Sequence, residues 1–396
     1  MPVLAIAVAS LFLLLLMAHY GDERYRAAAA VAFVGHLFVT LVVLPRLPYA
    51  WDIAYFHRSA MDVATGTVVT GSQTVASFAA FQGLLYTLFS PQPTTLGVFN
   101  GLFAVLVAIP ATSLARELYP QTKDTPAVAL TVLFLPLPFL FTSIPMRDAL
   151  AVLLCITLLA VCLRTRTNGA ASGLPAIPLW GLLYLLRPEL ALVVSLGIVA
   201  TTLVSAARRV GVQSVPTLSV ILGVVGCLGF SLFAEVLLPF QRVNAQLQRR
   251  ATGGAVYLDG MAYRSWFDFL LAAPARGVYF QFAPFPLHVD SAFHLLALTG
   301  TVVVIVLFVS AARSLYACEF DETAAVFLGV VYLAGVVGYG TINSNFGTNV
   351  RHRMVFDFLL VVFASPILHG WWLRLHEWLG VAPSERGYDD EQQRKA

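Results

Sequence analysis

The stretch Trp51-Asp52-Ile53-Ala54-Tyr55-Phe56-His57-Arg58 puts an acid, a phenol, an imidazole and a guanidinium within eight residues of a chain that is otherwise mostly hydrocarbon. Ionisable groups beside a membrane are expensive unless used, so this stretch is the first place to look for chemistry. Asp52 follows Leu47-Pro48-Tyr49-Ala50-Trp51, where a hydrophobic segment ends. A partly desolvated carboxylate there could act as general base toward a hydroxyl or amine acceptor. Tyr55, His57 and Arg58 would then help to bind the substrate. The structural alternative is an acid that solvates a loop beside a Trp/Tyr interface anchor.

Three further clusters offer cations. Arg147-Asp148 follows Ser143-Ile144-Pro145-Met146 at the start of an apolar run. Asp148 fits a helix first turn, as capping and the macrodipole require. Arg147 opposes that dipole, which is favourable when an anion such as phosphate sits between the guanidinium and the helix end. Arg187-Pro188-Glu189 interrupts the apolar run 182–200. Proline ends one helix and begins the next there, leaving either a self-paired turn or an Arg187 turned inward toward a ligand. Asn345-Phe346-Gly347-Thr348-Asn349-Val350-Arg351-His352-Arg353 reads as a polar loop feeding the last hydrophobic helix. Arg351 and Arg353 offer forked donors for a phosphate or diphosphate, with His352 between them. Arg353 and Asp357, four apart, could instead pair along a helix.

Other features carry less. Ala283-Pro284-Phe285-Pro286-Leu287 is a rigid extended segment with no catalytic group. His57, His288, His294 and His352 have no zinc-ligand spacing, and no metal is expected. Cys155, Cys162, Cys227 and Cys318 show no redox or zinc spacing and read as small packing residues. Walker, dinucleotide-binding and serine-elbow motifs are missing.

The elements that must position these groups are hydrophobic helices. The 396 residues are 59% hydrophobic and 11% charged, against about 25% charged in soluble domains. Continuous apolar runs, not alternating ones, exclude a β-barrel and predict an all-α, polytopic transmembrane bundle. Eleven spans are expected at 3–19, 27–45, 94–115, 126–143, 147–163, 174–187, 189–206, 215–239, 292–311, 323–340 and 354–371. The net charge of +3 is too thinly spread to suggest nucleic acid. The 22 arginines and two lysines fit a GC-rich coding sequence.

Segment 76–90 decides the topology. Read as an interfacial helix, it puts the loops bearing Arg24/Arg26, Arg116/Lys123, Arg164/Arg166, Arg208/Arg209 and Arg313 on one face with the C-terminal tail, as the positive-inside rule predicts for the cytoplasm. Asp52, Arg147-Asp148, Arg187-Pro188-Glu189, the 241–290 segment and the Asn345–Arg353 loop then share the external face. The expected organisation is a membrane domain over 1–373, with external loops at 46–93 and 241–290, and a cytoplasmic tail at 374–396. The 241–290 segment reads as a loop or a small cap.

With these residues laid out, the chain resembles the GT-C glycosyltransferases, polytopic enzymes that use polyprenyl-phosphate sugars, such as the protein mannosyltransferases and aminoarabinose transferases. Asp52-x-x-Tyr55 with Ala60 and Gly66 is similar to their first external loop. The segments 84–90, 99–103 and 114–119 are similar to the juxtamembrane helix and span that come after that loop in the family. Met146-Arg147-Asp148-Ala149, Leu186-Arg187-Pro188, Pro284-Phe285-Pro286 and Gly347-Thr348-x-x-Arg351-His352-Arg353 look like elements of a GT-C-like group linked to surface polysaccharides. The resemblance implies Asp52 as the catalytic base or an acceptor-orienting carboxylate, and an external arginine (Arg351, Arg353 or Arg187) on the lipid phosphate. Two departures stand out: relatives often carry paired acids in this loop, and the large C-terminal external domain of some relatives is missing.

The expectation is therefore a multi-pass plasma-membrane glycosyltransferase with its site facing outside and its C-terminus in the cytoplasm. Its partners would be a polyprenyl-phosphate lipid, a glycan acceptor and membrane lipids, with no nucleic acid. No cofactor is expected, because arginine can stabilise phosphate charge without a divalent metal. The alternatives are a polysaccharide polymerase or ligase using lipid-diphosphate-linked units, and a lipid-carrier or glycan transporter. Against a transporter, no inverted repeat or paired broken helices appear.

Overall fold

The computed structural model describes residues 3–19, 23–47, 52–67, 71–122, 126–209, 211, 214, 223, 226, 240–251, 254–258, 260 and 262–380. The described residues form helices and turns, with one isolated antiparallel bridge, Val256 to Asn345. The expected span 215–239 and most of the tail lie outside them.

In chain order the helices are α1 (Val3–His19), α2 (Glu23–Phe38), α3 (Ile53–Ala64), α4 (Gln73–Leu88), α5 (Pro93–Leu106), α6 (Ala108–Leu118), α7 (Ala127–Phe134), α8 (Pro136–Ser143) and α9 (Asp148–Asn168). Then come α10 (Ala176–Leu186), α11 (Pro188–Arg209), α12 (Phe240–Arg250), α13 (Trp266–Phe282), α14 (Ala292–Ala317), α15 (Glu322–Ile342), α16 (Phe346–His352), α17 (Met354–Phe363) and α18 (Ser365–Trp378). Helix α2 runs on through a π turn, Val39–Val43, and a 3-10 turn, Leu44–Arg46.

Among the described residues, six helical stretches are long and apolar enough to cross a membrane: Tyr25–Arg46, Pro93–Leu118, Asp148–Arg166, Pro188–Arg209, Ala292–Ala317 and Glu322–Ile342. The bent pair α17/α18, kinked by 68°, makes a seventh if it is counted as one span. Pro366 explains the kink, because it brings no N–H to the helix ladder. The chain thus fits a multi-pass membrane protein, with fewer spans among the described residues than the eleven expected. Helix α1 has only 17 residues. The 126–143 run is broken where Leu135 adopts an extended conformation before Pro136, leaving two eight-residue helices. The 174–187 run yields an eleven-residue helix that stops before Pro188.

Two packing relations position the site. Helices α3 and α4 form a tight hairpin in which Phe56, Ser59 and Ala60, three and four residues apart, face inward. The close approach needs Gly83: a Cβ there would lie 2.9 Å from Val63 and 3.0 Å from the Ala60 carbonyl oxygen. Helix α15 lies between α11 and α13, holding the Arg187 break and the α15–α16 turn at one end of the bundle. The described residues of the 241–290 segment are largely helical. They include α12 and the 17-residue α13, whose Phe280 stacks on Tyr339 of α15.

Candidate functional site

Asp52, Asp148, Arg187, Arg351 and His352 sit at helix ends, where backbone geometry frees side chains from the bundle's apolar faces. Asp52 precedes α3, and Asp148 opens α9. Arg187 occupies the break forced by Pro188, with φ −149° and ψ 75°. Arg351 and His352 end α16. The expected polar loop at 345–353 is instead a short helix, because the Asn345 side chain accepts from the Thr348 N–H and caps it.

These four segments meet. Asp148, 4% exposed, makes no cap of its own helix and shares its oxygens between two cations. Oδ1 pairs with Arg187 Nη2, and Oδ2 lies 3.1 Å from Arg351 Nη2. Arg351 Nη1 is in turn 3.4 Å from Asp52 Oδ2. Arg187 also places Nη1 2.9 Å from His352 Nε2 and 3.8 Å from Glu189 Oε1. Arginine only donates, so His352 Nε2 accepts and its proton resides on Nδ1. That Nδ1 is buried and meets no hydrogen-bond partner among the described residues. Burial first, then Arg187, Arg351, Arg250 and Arg147, hold the His352 imidazole well below its ordinary pKa, so the ring is neutral.

Arg147 adds a cation that no described carboxylate pairs with. Its Nη1 donates to the Leu186 carbonyl at 3.1 Å, and its guanidinium lies 5.9 Å from the centre of the Phe56 ring. A half-buried arginine held by a carbonyl and an aromatic face keeps donors available to an anion. Chemically, the cluster can bind a phosphate through guanidinium groups while the exposed Asp52 faces a second reactant. Among the described residues, no three His, Cys, Asp or Glu side chains come together as a metal site.

Arg353 does not join the cluster. It is fully buried and donates to the carbonyls of Gln281 and Ala283 at 2.9 and 2.8 Å, with Nε 3.6 Å from Asp357. The helical Arg353–Asp357 pairing therefore replaces the phosphate-binding expectation for this residue. It turns inward because it starts a new helix, α17, whose residues are all buried. Tyr55, His57 and Arg58 are also not drawn into the network. On α3 they follow Asp52 around the helix: Tyr55 and Arg58 are exposed, with Arg58 Nε bonded to its own Ala54 carbonyl at 3.4 Å. His57 Nδ1 lies 2.9 Å from the Tyr86 hydroxyl of α4, which accepts from Gln82 Nε2 at 2.7 Å.

Arg250, at the end of α12, is a cation that no sequence motif singles out. Its Nη1 donates to Asn343 Oδ1 at 2.8 Å, and Asn343 follows the α15 turn that carries Tyr339, whose ring lies 5.2 Å from that of His352. A weaker signal was available: Phe240, Val243 and Leu247 recur at helical spacing and end in Arg249-Arg250. A cavity of about 350 Å³ lined by Cys162, Arg166, Ile198 and Phe327 lies elsewhere, toward the far end of α9 from Asp148.

No family model matches this chain, and neither a curated protein nor a solved structure does.

Proposed function

We propose that this chain is an integral membrane glycosyltransferase of GT-C-like organisation, transferring a sugar from a polyprenyl-phosphate donor to a cell-surface glycan, lipid-linked or protein acceptor. The observation that carries this reading is the meeting of Asp52, Asp148, Arg187 and Arg351 from four distant segments. Four ionic groups from remote parts of an apolar chain are costly to gather, and such sites in membrane proteins are functional by default.

In the proposed step, Asp52 accepts the acceptor's hydroxyl proton while that oxygen attacks the anomeric carbon. The bond from the anomeric carbon to the phosphate oxygen breaks, and its electron pair leaves with the lipid phosphate. Asp52 suits the role because its side chain is 61% exposed while remaining beside Arg351. Charge supports a monophosphate donor over a diphosphate one. Arg147, Arg187, Arg250 and Arg351 face Asp52, Asp148 and Glu189, which leaves one positive charge. A phosphodiester carries one negative charge. As Asp52 takes a proton the cluster gains a second positive charge, while the departing phosphomonoester approaches about −2. The balance is kept throughout.

The reading also puts the site on the external face of a plasma membrane and the C-terminus in the cytoplasm. In this arrangement α4 lies along the interface, and the shorter helices α1, α7/α8 and α10 complete the membrane domain. The arginine-rich loops on the opposite side support that orientation.

The test is transfer from a polyprenyl-phosphate sugar in proteoliposomes containing the full chain. Wild type is expected to transfer, and Asp52→Asn to bind donor without transferring. Transfer at an undiminished rate by Asp52→Asn, or from a lipid diphosphate donor alone, would overturn the reading.

A further inference from the structure

A second polar cluster lies inside the bundle, behind the ion-pair network. His36 of α2 is buried, with Nδ1 2.7 Å from Ser143 Oγ. Ser143 Oγ donates to the Phe139 carbonyl at 2.8 Å, so the imidazole supplies the N–H in its own contact. One turn on, Thr40 Oγ1 donates to the Ser143 carbonyl at 3.0 Å. From α5, Asn100 Nδ2 donates to the carbonyls of Ile144 and Met146 at 2.7 and 2.8 Å. Three side chains thus hold the irregular turn, Ser143 to Met146, that leads directly into Arg147 and Asp148.

The surrounding packing is arranged around this contact. Gly97 and Gly101 of α5, four residues apart, face Thr40 and His36. A Cβ at Gly101 would come 2.9 Å from His36 Cβ, and one at Gly97 would run into Thr40 Cγ2. Small residues at this spacing let apolar helices approach closely without a hydrophobic driving force. The π turn Val39–Val43 includes Thr40, and such turns are rare and concentrate near functional sites. Burying polar side chains in apolar surroundings is costly. The donors of His36, Thr40 and Asn100 are all directed at one turn and the Ser143 hydroxyl, while Asn100 Oδ1 meets no partner among the described residues.

The geometry points to His36, Thr40 and Asn100 as positioning residues: a clamp that fixes where α9 begins, and so where Arg147 and Asp148 stand. The inference rests on the phosphate-binding reading above only for its functional consequence. The Ser143 and Met146 carbonyls precede α9 and take their donors from Thr40 and Asn100, whereas the Ile144 carbonyl accepts from the Met146 N–H at 2.7 Å as well as from Asn100. If the clamp is removed, the Ser143 and Met146 carbonyls must find other donors in apolar surroundings, and the turn re-forms with Arg147 displaced.

The test uses the full chain in lipid nanodiscs and two readouts, hydrogen exchange of the Ile144, Met146, Arg147 and Asp148 amides and binding of geranylgeranyl phosphate. For His36→Leu and Asn100→Leu, exchange is expected to rise about tenfold in that segment alone, and probe affinity to fall by a similar factor. His36→Asn, which keeps an N–H donor, restores most of both. Combined with Arg147→Ala, the clamp variants lose no further affinity, because they act through that residue. Unchanged exchange, a rise spread evenly along the chain, or additive losses with Arg147→Ala would overturn the clamp. If wild type does not bind the probe, the phosphate reading fails and the exchange pattern alone decides the clamp.

Discussion

The Arg351 guanidinium stands 3.4 Å from the Asp52 carboxylate, across 299 residues of chain. Its other terminal nitrogen lies 3.1 Å from Asp148. One flat cation therefore bridges two acids of opposite character: Asp52 is 61% exposed by side chain and Asp148 is 4% exposed. The buried acid anchors the arginine, and the arginine orients the exposed acid. This arrangement brings a second carboxylate toward Asp52 from a distance in sequence, where its own neighbours Trp51 and Ile53 supply none.

Arg351→Lys is expected to fail despite conserving charge. Lysine is a point donor on a flexible stem and cannot hold two carboxylates in one plane. Transfer should fall about tenfold or more, with Asp52 freed from its tether. Initial rates in proteoliposomes measure this, and a rate matching wild type would show that the bridge has no catalytic consequence.

Asp148→Asn removes the acid that both Arg187 and Arg351 use. Leaving buried cations without their partner costs about 3–5 kcal/mol, so the thermal midpoint in detergent should drop sharply. Pairing it with Arg187→Met should recover part of the loss, because one of the uncompensated charges goes with the arginine. A double variant less stable than Asp148→Asn would contradict the pairing.

Much of the site was legible in the sequence because the residues mark helix ends. Pro188 fixes the Arg187 break, and Asp148 opens α9, just as local rules require. What sequence could not supply was direction. Arg351 and Arg353 are two residues apart, and only the start of α17 decides that one meets Asp148 while the other is sealed against Asp357. Periodicity also counts apolar residues without measuring continuity. Pro136 breaks one expected span, and another is only eleven residues long, between Pro175 and the Arg187 break. The His36 and Asn100 contacts were invisible for the same reason: each is set by which helix faces which.

His352 makes one contribution to the pH dependence of stability. Its folded-state pKa lies well below the ordinary 6.5, chiefly through burial and then through four arginines. As pH falls through about 6.5 the unfolded chain takes up a proton that the folded chain refuses. Stability from this group is thus complete above about pH 6.5 and is lost progressively as pH falls toward the folded value. Thermal midpoints of wild type and His352→Gln across pH 4.5–8 should diverge at the acid end, wild type falling more steeply. Parallel curves would mean that the ring titrates normally.

Gly83→Ala tests whether the α3–α4 hairpin sets the position of Asp52. The new Cβ would press on Val63 and on the Ala60 carbonyl oxygen, a backbone atom that cannot rotate away. Overpacking of this kind costs about 1–3 kcal/mol and should shift α3, lowering the transfer rate as well as stability. Gly181→Ala in α10 is the control, since nothing lies within 4 Å of its added Cβ. It should be neutral or stabilising by up to about 1 kcal/mol.

Arg250→Gln tests the charge argument. Without this arginine the cluster is neutral while Asp52 is ionised, so a phosphodiester donor would bring an unbalanced negative charge. Glutamine keeps an N–H that can reach Asn343, which Arg250 contacts at 2.8 Å, so the end of α12 should stay in place. The expected result is about tenfold weaker donor binding with little change in thermal midpoint. The defect should shrink at high salt, because part of the arginine's contribution is screened. If Arg250→Gln lowers stability and leaves the donor KM unchanged, Arg250 serves only to hold α12 against α15, and the balance must be recounted without it.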